Sequence, residues 1–106
     1  MGQAELSQYR WKSRILLLFA PAADDPRLAA QHAALADHAA DLAERALVIV
    51  DDPDPALRAA FQAPAAGFTA VLLGLDGEEK LRTDEPIQAA ALFATIDAMP
   101  MRQWTR

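Results

Sequence analysis

Two short apolar runs, placed on either side of a helical pattern, constrain the fold of this chain most strongly. ILLLF at residues 15–19 and ALVIV at residues 46–50 are continuous rather than alternating, which is typical of strands buried on both faces of a parallel sheet. Pro21 favours a strand over a helix for the first run. We therefore predict strands over residues 14–20 and 46–52, joined by an α/β crossover.

Between these strands the sequence predicts one long helix over residues 26–45. Asp24, Asp25 and Pro26 form its start, because aspartate can cap the free amide groups and proline suits the first helical position. The helix has an apolar stripe at helical spacing, and acidic residues lie on another face. The leucines of this stripe are Leu28, Leu35 and Leu42.

The second half of the chain predicts a β-hairpin and a closing helix. Its strands cover residues 68–75 and 78–83, and an Asp-Gly turn that requires positive φ joins them. The second strand carries alternating charges, so we expect it at an edge of the sheet. Pro86 opens the last helix, which covers residues 87–99.

With a short helix beginning near Pro55, the elements follow the order strand, helix, strand, short helix, strand, strand, helix. This order predicts a thioredoxin-like (peroxiredoxin-like) α/β fold. Its mixed sheet would have about four strands flanked by helices. We expect one such domain over residues 1–106, with basic and aromatic segments at its two ends.

The charge distribution separates the two ends from the rest of the chain. Residues 1–14 and 100–106 hold five basic residues and one acid, whereas residues 15–99 hold five basic and fourteen acidic residues. Net charges of +4 and −9 sum to the net charge of −5 of the whole chain. An acidic body lacks the basic footprint of a general nucleic-acid or anionic-membrane binder, and we expect neither as a partner.

The loop FAPAADDP at residues 19–26 lacks the group on which thioredoxin-like chemistry depends. That chemistry uses a thiol in this loop, where the N-terminus of the following helix stabilises the thiolate. The chain contains no cysteine. The second hallmark of the fold, a cis-proline before the hairpin, is replaced by Gly67, Phe68 and Thr69. We therefore expect no thiol–disulfide oxidoreductase or peroxidase activity.

Asp24 and Asp25 have two interpretations. Paired carboxylates perform acid–base catalysis when burial moves their pKa values apart. The simpler interpretation is a helix cap beside a solvated charge, and Pro26 stands where a cap predicts a proline. A concave pocket with a perturbed aspartate pKa would indicate an enzyme, whereas an exposed carboxylate bonded to helix amides would indicate a cap.

The histidines and the acidic run after the second strand do not form a recognisable metal site. His32 and His38 lie about 240° apart around one helix, so they cannot share a metal ion. We interpret each as packed or solvated. Asp51, Asp52 and Asp54 could attract a divalent cation, but they lack the calcium-loop pattern and are interpreted as turn and cap residues. We expect neither a metal nor a cofactor.

The two end segments, YRWKSR at residues 9–14 and MPMRQWTR at residues 99–106, combine tryptophan with arginine. This combination is common at protein-binding hot spots and in single-strand nucleic-acid grooves. The preferred interpretation is that the aromatic rings cover the core while the basic side chains pair with the acidic body. A protein interface is the second interpretation, and its candidate residues are Arg10, Trp11, Arg102 and Trp104.

Four segments carry a resemblance to a known family: YRWKSRILLLFAP, ADDPRL, GLDGEEKLR and IDAMPMR. The chain resembles the bacterial domain of unknown function 4174, a cysteine-less thioredoxin-like family related to the domains in equarin and the sushi-repeat-containing proteins. The resemblance implies a thioredoxin-like fold without the redox cysteine. It implies adhesion or matrix roles for the animal members, and for the bacterial members, many of which look exported, no established activity. It carries over no catalytic residue.

Two functional hypotheses follow. The first is a non-catalytic thioredoxin-like module that binds a protein or another ligand, through the surface around Asp24, Asp25 and Phe68 or through the end segments. The alternative is an enzyme of unassigned class that uses a carboxylate in the loop at residues 20–26. The chain shows no secretory leader pattern, so the expected location is cytoplasmic, or periplasmic or exported if a leader was removed.

Overall fold

The computed structural model describes residues 9, 12–22, 24–51, 55–64 and 66–98. Most residues of the two end segments, and two of the three residues of the acidic run Asp51, Asp52 and Asp54, lie outside these ranges. The residues singled out from the sequence that lie outside are Arg10, Trp11, Asp52, Asp54, Arg102 and Trp104.

Four strands and four helices make up the regular structure of the described residues. The strands are β1 (Arg14–Phe19), β2 (Leu47–Asp51), β3 (Thr69–Leu73) and β4 (Glu79–Thr83). The helices are α1 (Pro26–Leu35), α2 (Ala39–Glu44), α3 (Pro55–Ala60) and α4 (Ala89–Asp97). Each predicted strand is present, and none of its ends is shifted by more than two residues.

The four strands form one mixed sheet in the order β2-β1-β3-β4. β1 pairs parallel with β2 and antiparallel with β3, and β4 pairs antiparallel with β3. The predicted α/β class, a mixed four-stranded sheet with flanking helices, is confirmed, and the order of elements is compatible with a thioredoxin-like arrangement. The charged strand β4 lies at an edge, as its sequence predicts.

The central strand β1 is buried along its whole length and contributes to a core on both faces of the sheet. Alternate residues point to opposite faces of a strand, so successive side chains enter different clusters. The major cluster, on the face covered by α1 and α4, includes Leu16, Leu18, Leu28, Leu35, Phe68, Leu92 and Ile96. The minor cluster, on the opposite face, includes Ile15, Leu17, Phe19, Leu57, Ala63, Val71 and Leu73.

The prediction of one helix over residues 26–45 is wrong, because the chain forms two helices there. α1 ends at Leu35, and α2 begins after His38, whose φ of −118° and ψ of 25° are not helical. Aspartate and histidine are weak helix formers, so a break at Asp37 and His38 costs little. The break lets the His38 ring meet Phe93 of α4 edge-on, with ring centroids 5.6 Å apart.

The hairpin turn uses glycine as the sequence predicts, but its central residues are Leu75 and Asp76 rather than the predicted pair Asp76 and Gly77. The amide of Gly77 donates to the carbonyl of Gly74, which closes a turn around Leu75 and Asp76. Gly77 then takes a φ of 81°, the positive value that glycine adopts without steric cost. The Asp76 carboxylate accepts the Glu78 amide at 3.0 Å and so fixes the return of the chain into β4.

Candidate functional site

The candidate site lies at the end of the sheet where β1 and β2 finish. β3 begins and β4 finishes at the same end, because β3 runs antiparallel to both β1 and β4. The connecting segments that follow β1, precede β3 and follow β4 therefore meet there. In open α/β sheets the carboxyl ends of the parallel strands are where ligands bind. The loop that follows β1, with the predicted site residues Asp24 and Asp25, lies at this end of the sheet.

Asp25 caps the N-terminus of α1. Its Oδ1 accepts the Arg27 amide at 2.8 Å, and its two oxygens also accept the Arg27 guanidinium, from Nε at 3.1 Å and from Nη2 at 3.0 Å. These hydrogen bonds hold the pKa of the Asp25 carboxyl below its ordinary value of 3.8. An ionised carboxylate bound in this way is a poor proton donor at neutral pH. The geometry is that of the predicted cap.

Asp24 is exposed, and no hydrogen bond joins its side chain to any other residue that the structure describes. The neighbouring exposed residues form a small surface of apolar and charged groups at the start of α1. We call it the loop surface, and its members are Pro21, Ala22, Asp24, Pro26 and Arg27. The guanidinium of Arg27 has its pKa raised by the hydrogen bond to Asp25 and further by the charge of Asp84, which follows β4.

Arg58 fixes the first residue of the loop, a role that the sequence does not reveal. Its Nη2 donates to the Ala20 carbonyl at 2.6 Å and its Nη1 to the Pro64 carbonyl at 3.1 Å. The guanidinium also lies 5.8 Å from the centre of the Phe19 ring. One side chain of α3 therefore ties the loop after β1 to the segment before β3. Together with the Asp25 cap, it holds the loop surface at both of its ends.

Phe68 lies one residue before β3, although the predicted strand begins at this residue, and its side chain lies in the core. It is 1% exposed and belongs to the major cluster. Thr69 beside it is 4% exposed. The structure therefore brings Asp24 and Asp25 to one surface, whereas the Phe68 side chain is buried in the major cluster.

His32 and Asp51 form a pair across the same end of the sheet. His32 Nε2 lies 2.9 Å from Asp51 Oδ2, which joins the middle of α1 to the last residue of β2. Both side chains are nearly half exposed, at 44% and 48%. Sequence reasoning missed this contact because the two residues are far apart in the chain and carry no local motif.

The two histidines serve different contacts. His38 lies 3.5 Å from the carboxylate of Asp41 on α2, whereas His32 pairs with Asp51 of β2. Within the described residues, no three His, Cys, Asp or Glu side chains come together as a metal-binding group. Of the acidic residues Asp51, Asp52 and Asp54, the structure describes Asp51, the last residue of β2.

Fold and site together define a small α/β domain with a mixed four-stranded sheet and a capped, carboxylate-bearing loop at the start of its first helix. The chain belongs to the family described as "Domain of unknown function (DUF4174)", which matches residues 5–104. This is the family that the sequence resembles. No curated protein matches the chain. None of the helices in the described part of the chain combines the length and apolar character that crossing a membrane requires.

Replacing Asp25 with alanine is expected to lower the thermal stability of the domain, because the Arg27 amide loses its acceptor. Asp25→Asn keeps an acceptor oxygen but loses the charge, so it should lose less. The folded-state pKa of Asp25 is depressed, so the contribution of its charge is complete above the unfolded pKa and disappears as the pH falls through the folded pKa. Thermal unfolding followed by circular dichroism, from neutral to acidic pH, measures both effects.

Asp24→Ala is the matched control for these variants, since it removes a neighbouring carboxylate that caps nothing in the described structure. It should unfold close to the wild type at neutral pH. Equal losses from Asp24→Ala and Asp25→Ala would contradict the assignment of the cap to Asp25. So would a gap between wild type and Asp25→Asn that stays constant into strong acid.

Proposed function

We propose that this domain is a non-catalytic, thioredoxin-like binding module and that the loop surface contacts a protein partner. The observation that carries the proposal is the state of Asp25. At the position where thioredoxin-like enzymes place a thiol, this chain has a carboxylate that caps its own helix and pairs with Arg27. The carboxylate that could act in catalysis therefore serves as a helix cap and as the ion-pair partner of Arg27.

The anchoring of the loop supports a role in binding. Arg58 binds the carbonyl of Ala20 and Asp25 caps the start of α1, so both ends of the loop surface are tied to the fold by hydrogen bonds. A preorganised surface loses little conformational entropy on association, which is one of the main costs of binding. The mixture of proline and alanine with Asp24 and Arg27 combines apolar contact area with charges that set orientation.

The charge of the chain supports a protein partner over nucleic acid or an anionic membrane. The body of the domain, residues 15–99, has a net charge of −9, which disfavours the approach of phosphate groups. The alternative contact in this proposal is the pair of end segments with Trp11 and Trp104, residues that lie outside the described ranges. The two surfaces are distinguished by variants of each.

Affinity capture from lysate and envelope fractions of the source organism tests the proposal, with the wild type beside Asp24→Lys. Asp37→Lys is the matched control: it makes the same charge change at another exposed aspartate, in the turn between α1 and α2. We expect a partner that is held by wild type and Asp37→Lys and lost by Asp24→Lys.

Trp11→Ala and Trp104→Ala, with folding checked, complete the set of variants. A partner lost only by the tryptophan variants would move the contact to the end segments and reject the loop surface. A partner held equally by all the variants would reject both surfaces. A turnover detected in a broad substrate screen, and abolished by Asp24→Asn or Asp25→Asn, would replace the binding module by an enzyme.

A further inference from the structure

The two edges of the sheet are protected very differently. At one edge, β4 carries Glu79, Lys80 and Arg82, a pattern of charges that discourages pairing with another strand. At the other edge, β2 reads LVIVD and carries no charge before its last residue, Asp51. Natural proteins seldom leave an apolar edge strand without protection. Within the described ranges, β1 is the neighbour of β2 in the sheet, and no strand pairs with its outer side.

The hydrogen bonds of β2 to β1 show which of its backbone groups face outward. The Arg14 amide donates to the Ala46 carbonyl at 2.8 Å, and β2 then continues in parallel register with β1. Because a parallel ladder uses every second residue, Val48 and Val50 direct their amides and carbonyls toward β1. The amides and carbonyls of the alternate residues therefore face away from the sheet. These residues are Leu47, Ile49 and Asp51.

The side chains of β2 leave apolar area at this edge on both faces of the sheet. Val48, Ile49 and Val50 are all partly buried, whereas the residues of β1 beside them are buried. Ile49 packs against the major cluster and Val50 against the minor cluster. A further strand alongside β2 would extend both clusters, and β-branched side chains are those that pack best across neighbouring strands.

We propose that the outer edge of β2 pairs with the same edge of a second copy of this chain, antiparallel, about a twofold axis at Ile49. In this register Ile49 faces the partner's Ile49, and Leu47 faces the partner's Asp51. All three outward-facing residues of each copy then meet outward-facing residues of the other. The pairs exchange about six interchain hydrogen bonds and join the two sheets into one continuous sheet.

The charges of β2 favour this arrangement of a second copy. The antiparallel pair places the two Asp51 carboxylates at opposite ends of the interface, roughly 14 Å apart along the strands. A parallel pair would place them side by side, where like charges repel. Between them, the Val48 side chain faces the partner's Val50 on one side of the sheet, and the two Ile49 side chains meet on the other. The antiparallel pair thus satisfies the outward backbone groups, places apolar side chains against each other at its centre and keeps the two carboxylates apart.

The dimer is expected to be weak and reversible. A five-residue edge gives a smaller contact than the roughly 1,200–2,000 Å² that stable interfaces bury. Each copy also carries a net charge of −5, so the copies repel at long range. Added salt screens this repulsion and should strengthen the dimer. This dependence is opposite to that of a dimer held by ion pairs.

A cysteine crosslink tests the register directly, because the chain contains no cysteine of its own. In Ile49→Cys, the two thiols would stand on a hydrogen-bonded antiparallel pair with Cα atoms about 5.5 Å apart, within the range of a disulfide. We expect a disulfide-linked dimer under mild oxidation. Leu81→Cys is the matched control, since Leu81 is the central residue of edge strand β4, is partly buried and packs against the same cluster. It should stay monomeric.

Equal crosslinking of the two variants, or none of Ile49→Cys in a folded protein, would overturn the proposal. Amide exchange of the wild type, followed by NMR, keeps the test independent of any substitution. We expect the amides of Leu47, Ile49 and Asp51 to become protected as protein concentration and salt rise, while those of Val48 and Val50 stay protected throughout.

Two outcomes of the exchange experiment would reject the dimer. If the outward amides exchange quickly at every concentration, the edge is unpaired in solution. If they are protected in a species that sedimentation shows to be monomeric, another segment of the same chain covers β2. Neither outcome bears on the loop surface, which lies on different residues.

Discussion

Phe68→Ala is expected to lower the free energy of unfolding by about 3–5 kcal/mol, the usual cost of removing a buried phenylalanine side chain. Phe68 is 1% exposed and lies in the major cluster, between the sheet and helices α1 and α4. Truncation leaves a cavity that the surrounding leucines fill only in part. Urea unfolding followed by circular dichroism measures the loss as a shift of the midpoint.

Phe68→Leu is the matched variant, because it keeps an apolar side chain of comparable reach in the same cavity. It should recover most of the stability and should bind any partner of the domain as the wild type does. A Phe68→Ala protein that unfolds at the wild-type urea concentration yet loses its partner would contradict this assignment. It would return Phe68 to the binding surface that the sequence suggested.

The strands of this fold could be predicted from sequence because their signal is local. Continuous apolar runs are required wherever a strand is covered on both faces, and β1 and β3 are buried at every position. The alternating charges of β4 predict its edge position, and the Asp-Gly pair between β3 and β4 predicts the hairpin. Each of these features is specified within a few residues of chain.

The break between α1 and α2 could not be predicted from the leucine stripe, and the contacts that accompany it join residues distant in sequence. Arg45, just after α2, binds both carboxylate oxygens of Asp97 at the end of α4, at 3.0 and 2.9 Å. Its guanidinium also lies 4.4 Å from the centre of the Phe93 ring. A straight helix over residues 26–45 would carry Arg45 in a different direction. The leucine stripe is the same with or without the break, so the pattern did not distinguish them.

The candidate site also combines features that could be predicted from the sequence with features that could not. The Asp25 cap was predictable because aspartate, proline and the first helical amides are neighbours in the chain. The contacts of Arg58 with Ala20 and of His32 with Asp51 join residues that are remote in sequence. A single arginine in a short helix, or one histidine beside an apolar stripe, gives no indication of its partner. The helix cap could therefore be predicted from neighbouring residues, whereas the contacts between residues remote in sequence could not.

Gln31 is a polar residue on the apolar stripe between Leu28 and Leu35, and this position in the sequence indicates a buried polar contact. It is fully buried, and its amide group binds the main chain of Ile87 twice. Gln31 Nε2 donates to the Ile87 carbonyl at 3.0 Å, and Gln31 Oε1 accepts the Ile87 amide at 2.7 Å. The side chain thereby fixes the segment that leads into α4 against α1.

Gln31→Met is expected to lower the free energy of unfolding by about 2–5 kcal/mol, because it leaves the buried amide and carbonyl of Ile87 without these partners. Urea unfolding measures this loss. The matched control is Gln88→Met, at an exposed residue whose side chain makes no capping hydrogen bond, and it should change stability by less than about 0.5 kcal/mol.

Gln31→Glu separates the loss of hydrogen bonds from the loss of shape. At neutral pH its carboxylate would face the Ile87 carbonyl and be strongly destabilising, whereas the protonated acid can both donate to that carbonyl and accept the amide. Burial raises the folded-state pKa of such a carboxyl, so its penalty should shrink relative to the wild type as the pH falls. A penalty that is the same at pH 7 and in mild acid, or a Gln31→Met protein as stable as Gln88→Met, would show that the two Ile87 bonds contribute little to the fold.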